Sequence, residues 1–139
     1  MDYKTTGNTI ILRLNRGEEV MASIMEVCKK EGVKAGSISG LGAVDHAVVG
    51  ILDIDKKEYF PNTFDECMEI TALIGNVSTM EGETYLHIHA TFGKHDGNAV
   101  GGHLNEAKIS ATAEIFIQVL DTTIERKMDD EIGINLMVL

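Results

Sequence analysis

The chain has 139 residues, 44% of them apolar and 24% charged, and its 12 basic and 22 acidic side chains leave a formal net charge of −10. That length encloses one hydrophobic core, so a single domain over residues 1–139 is expected. The charge balance weighs against nucleic-acid binding, whose sequence-independent affinity comes from Lys and Arg neutralising phosphates; no run of three basic residues occurs.

The opening Met1-Asp2-Tyr3-Lys4 lacks the apolar stretch of a secretory signal. No run approaches the roughly 18 apolar residues of a membrane span, and a cytoplasmic protein without membrane partners is expected. Residues 9–14, β-branched and aliphatic, predict a first strand, broken by Asn15-Arg16-Gly17. From Glu18 to Glu31, Val20, Met21, Ile24, Val27 and Cys28 recur three and four apart, which predicts an amphipathic helix. Glu18 and Glu19 fall in its first turn and Lys29 and Lys30 in its last, complementing the helix dipole, and Gly32 supplies a terminator.

Two strands are predicted around 35–41 and 43–53. The intervening Gly36, Gly40 and Gly42 form neither GxGxxG nor a GK[ST] loop, and a strand rather than a helix follows them, so bulges or close packing explain them better than phosphate binding. Residues 55–58 read as a polar turn, 68–78 and 84–92 as strands, 93–97 as a loop, and 99–104 and 112–120 as further strands. The tail from Thr122 reads as a polar strand or turn, and its apolar end, 132–139, needs a cover. Cys28 and Cys67 lack CxxC spacing and read as small buried hydrophobes in a reducing compartment. One helix and many short strands at hairpin spacing predict an α/β fold of the α+β type, a mostly antiparallel sheet of about seven to eight strands with one main helix packed on it. The βαβ alternation of a doubly wound parallel sheet is absent.

The chemistry concentrates between residues 84 and 104. Alternation puts Leu86, Ile88, Ala90 and Phe92 on one face and Tyr85, His87, His89 and Thr91 on the other. If a five-residue loop, 94–98, returns the chain, Gly93 pairs with Ala99 and His89 with His103, whose Cβ atoms then stand about 4.5–5.5 Å apart. His87, His89 and His103 form a nitrogen set suited to zinc, and also to copper, iron, nickel or cobalt. Three protein ligands leave a position open for water or a small molecule. His95 reads as a solvated loop residue, and His46 has no assigned role.

The strings His87-Ile88-His89, Asp96-Gly97 and Gly101-Gly102-His103-Leu104 resemble the prokaryotic branch of the plants-and-prokaryotes-conserved (PPC) domain family. The similarity extends through Arg16-Gly17-Glu18-Glu19, residues 38–43, Glu69-Ile70, Gly75-Asn76 and Glu114-Ile115. It implies an antiparallel sheet with a packed helix, a homotrimer, and zinc at the positions of His87, His89 and His103. Prokaryotic members carry a DNA-binding label through plant relatives that bear AT-hooks. This chain has no AT-hook, and where plant members read Gly-Arg-Phe-Glu-Ile-Leu it reads Glu66-Cys67-Met68-Glu69-Ile70-Thr71, without the Arg.

Three functions follow as candidates. The first is a metal-anchored module that binds or senses a small ligand. The second is a metal-dependent hydrolase whose bound water ionises near neutrality, with Glu106 or Glu114 as base. The third is transcription-linked DNA binding. Whether the chain is an enzyme is left open.

Overall fold

The computed structural model describes residues 1–139. The chain runs β1 (Asp2–Thr6), β2 (Thr9–Asn15), α1 (Val20–Lys30), β3 (Gly36–Asp53), β4 (Glu58–Phe64), β5 (Met68–Met80), β6 (Glu83–Gly93), β7 (Ala99–Val119), β8 (Glu125–Asp129) and β9 (Ile134–Val138). Strand makes up 67% of the chain and helix 8%. The expected α/β class with a main helix is therefore corrected: this is a mostly-β fold with a single short helix.

The physical reason is strand continuity. The two strands expected in 35–53 are one 18-residue strand, bent by a register shift between Gly40 and Gly42 rather than broken there. The two expected in 99–120 are likewise one 21-residue strand, because Leu104, Ala107 and Ile109 keep supplying buried side chains across further shifts. Two polar edge strands escaped the apolar pattern. β1 is almost wholly exposed and pairs only with β2. β4 pairs only with β3, and such an edge tolerates Pro61.

All nine strands belong to one sheet, in the order β1-β2-β7-β3-β5-β8-β9, with β4 on β3. β6 joins β5 to β7 while β3 also joins them, so four strands close a ring. One face buries Ile10, Leu12 and Leu14 of β2 with Ile88, Ala90 and Phe92 of β6, and α1 covers it with Val20, Ile24, Val27 and Cys28. The helix starts later than its pattern suggests because Glu19 is its cap: the carboxylate accepts the Met21 N–H at 2.9 Å and the Ala22 N–H at 2.6 Å. The same carboxylate accepts the Ala107 N–H at 3.1 Å and ties the helix start to β7. Gly32, at φ +65°, terminates it as expected. Cys28 is buried, and burial pushes its thiol up to about 12. Cys67 is exposed, against expectation, and both cysteines are free.

The outer face carries a row of successive cross-strand partners: Ile11, Phe116, Ser39, Ile74, His89 and His103. Ile74 and Phe116 are 64% and 47% exposed. No helix is long and apolar enough to cross a membrane.

Candidate metal centre

β6 supplies His87 and His89, two residues apart and so on one face; β7 supplies His103. The intervening loop is closed by the Lys94 N–H on Asn98 O (2.8 Å) and by Asp96, whose carboxylate accepts the Asn98 N–H at 2.9 Å. It sets the register Gly93 to Ala99 and hence His89 to His103. Behind this pair lie Gly101 and Gly102. They let strands approach: a Cβ at Gly102 would stand 2.6 Å from Gly50 O of β3, and one at Gly101 2.5 Å from Ala90 O of β6.

The three imidazoles converge. Ring centroids are 5.1 Å apart for His87–His89 and His87–His103, and 5.6 Å for His89–His103. One nitrogen from each falls within 4.8 Å of the others. Zinc bonds of about 2.0–2.1 Å in a tetrahedron set their nitrogens about 3.3 Å apart, so the nitrogens draw together by up to about 1.5 Å to share one ion.

Burial favours the neutral form of His87 and His103, the form that can ligate a metal. Burial, aided by the positive character of His103, Arg126 and His89, pushes His87 down to about 4 from its ordinary 6.5. Burial, then His89, lowers His103 as well. No carboxylate oxygen lies within 4.0 Å of a nitrogen of any of the three rings.

Around the rings stand residues to which the sequence assigned no site role. Tyr59 of β4 meets the His103 ring edge-on at 6.3 Å, and its hydroxyl donates to Asn105 Oδ1, with His103 O at 3.4 Å. Asn76 of β5 is the cross-strand partner of His87. An open cleft of about 390 Å³ is lined by Ile74, Gly75, Asn76, His87 and His89. A larger one, about 560 Å³, lies beyond the C-terminal end of α1 among Thr5, Glu31, Lys34 and Asp121, and holds no imidazole.

The carboxylates considered as bases lie elsewhere. Glu106 is beside His46, with Oε1 3.8 Å from Nε2, and His46 Nδ1 is 2.5 Å from Asp65 Oδ1. Glu114, further along β7, stands opposite Arg13 and Leu41. His95 is exposed in the loop.

The family model of the Plants and Prokaryotes Conserved (PCC) domain matches residues 1–121. The chain belongs to this family. Three solved structures resemble this PCC domain closely. A Bacteroides thetaiotaomicron protein, provisionally described as DNA-binding, is 34% identical, superposes with a TM-score of 0.96, and aligns over 99% of this chain and 96% of its own. A metal-containing protein from Archaeoglobus fulgidus is 34% identical with a TM-score of 0.88, over 100% of this chain and 99% of its own. A plant- and prokaryote-conserved protein from Pyrococcus horikoshii is 33% identical with a TM-score of 0.85, over 99% and 96%. No curated protein matches the sequence.

Proposed function

We propose that this PCC domain holds a divalent metal, zinc by preference, through His87, His89 and His103, and uses it to anchor a small ligand in a binding or sensing role. The observation that carries the reading is the convergence of three imidazoles, one nitrogen from each within 4.8 Å of the others. The A. fulgidus relative supports it, as a metal-containing protein of the same fold and 34% identity. When bound, the ion would act as a Lewis acid with a coordination position left for a fourth ligand. The chain's own residues supply the rest. His87 and His103 are kept deprotonated by burial, and Tyr59 packs against the third ring.

Binding is favoured over hydrolysis because Glu106 sits beside His46 and Glu114 opposite Arg13 and Leu41, neither placed with the imidazoles as a general base. DNA binding is disfavoured by the net charge of −10. A homotrimer, as the resemblance implies, is supported by the exposed Ile11 and Phe116 on the outer face.

Elemental analysis of purified protein, with zinc titration of the metal-free form, tests the reading. One equivalent per chain in the wild type, lost in His87→Ala, His89→Ala and His103→Ala, is the expected result. Unchanged uptake in folded variants would overturn it.

A further inference from the structure

The hairpin β8–β9 lies outside residues 1–121 matched by the family model, yet it delivers a charge to the edge of the metal centre. Arg126 of β8 is only 6% exposed. Its Nε–H donates to Ser78 Oγ at 2.7 Å, its Nη1 to Asn135 O at 2.7 Å and its Nη2 to Asn76 Oδ1 at 2.9 Å, while the guanidinium lies over the Tyr85 ring at 4.9 Å. Every one of these partners is neutral. No carboxylate comes within 4.0 Å of the group.

A buried cation among neutral partners is costly unless an anion completes its surroundings. The imbalance grows if a divalent ion sits on three neutral imidazoles close by. Asn76 links the two groups: it accepts from Arg126, stands opposite His87 in the β5–β6 ladder, and lines the cleft with His87 and His89. A guanidinium has five N–H groups, and the three bonds above leave one free on each Nη.

We propose that the cleft beside His87 and His89 binds a small carboxylate, with the metal and Arg126 together balancing its charge and exposed Ile74 bordering its apolar end. This rests on the metal reading above. A small carboxylate with an apolar end suits the exposed Ile74 at the border of the cleft better than a wholly polar anion such as phosphate.

The test is titration of cobalt-loaded protein with acetate, propionate, acetamide and inorganic phosphate, followed by visible absorption and calorimetry, with the metal-free protein run in parallel. Acetate and propionate are expected to bind at least about tenfold more tightly than neutral acetamide, and more tightly than phosphate. Arg126→Gln is expected to weaken acetate at least about tenfold while leaving cobalt affinity equal or higher, since a repelling charge has gone. Arg126→Lys keeps the charge without the fork and is expected to fall between. Equal binding of acetate and acetamide by the wild type overturns the proposal even if the variants fail to fold. So does tighter phosphate binding, or acetate affinity unchanged in a folded Arg126→Gln. If no cobalt is taken up, the metal reading falls by itself; Arg126-dependent acetate binding to the metal-free protein then upholds the carboxylate site, and its absence ends both.

Discussion

Replacing Gly102 with alanine pushes a methyl group into the backbone of β3. The added carbon would stand 2.6 Å from Gly50 O and 3.3 Å from Gly50 C and N, where ordinary contacts begin at 3.4 Å. All three atoms are backbone, held between β4 and β7 by pairing on both sides, so no rotamer can relieve the overlap. The strands must part by about 0.8 Å, and overpacking of this kind costs about 1–3 kcal/mol. Each kcal/mol lowers the melting temperature by about 4 °C in a domain of this size. His103 is the next residue and moves with the strand, whereas His87 and His89 belong to β6. Ligand bond lengths vary by only about ±0.2 Å, so the His103 side chain must take up the strand shift, and zinc affinity should drop about 10–100-fold, as when an orienting group is lost. Competition against a chromophoric chelator measures the affinity, and melting in excess chelator measures the stability of the metal-free fold. Gly97→Ala is the control. Gly97 has φ +83° with no atom within 4 Å of a would-be Cβ, so it should lose about 1 kcal/mol from backbone strain and keep its zinc affinity. If Gly102→Ala is destabilised yet binds zinc within about twofold of wild type, the argument from strand spacing to His103 is refuted.

Ile88→Ala should cost about 2–5 kcal/mol in denaturant unfolding, because Ile88 is fully buried on the core face while its neighbours His87 and His89 face outward; a neutral result would mean that the β6 alternation is misplaced. For the metal-free protein, His87 titrates near 4 in the fold against 6.5 ordinarily. Below pH 6.5 the unfolded chain therefore takes up a proton that the folded one refuses. Stability should be level above 6.5 and fall as the pH drops towards 4. Denaturant midpoints at about pH 7.5 and about pH 5 should diverge more in wild type than in His87→Asn, and equal divergence would contradict the burial of that ring. On immobilised random duplex at about 0.15 M salt, the protein should pass unretained; salt-dependent retention would restore the DNA-binding candidate.

The convergence of the three histidines was readable along the chain because its determinants are local. Strict alternation over residues 84–92 separates a buried row from the row bearing His87 and His89. A five-residue loop then sets His103 against His89 without help from distant contacts. Arg126 had no such marking. It sits in a polar tail 37 positions beyond His89, and only folding β8 against the Thr79 end of β5 brings it to Ser78 and Asn76. Tyr59 was equally silent: it follows a polar turn and precedes Pro61, and its place beside His103 depends on β4 crossing Gly50.

The fold class divides along the same line. Periodicity and caps act over a few residues, so the helix, its Gly32 stop and the His-bearing hairpin follow from the order of residues alone. Whether two apolar runs are separate strands or one long bent strand is decided by the neighbour that pairs across the bend. β3 passes through its glycines unbroken because β5 and β7 flank it, and β7 carries on past Asn105 because β3 does. Those pairings join residues far apart in the chain, and so the mostly-β ring, and the buried charge it holds beside the imidazoles, came from tertiary structure.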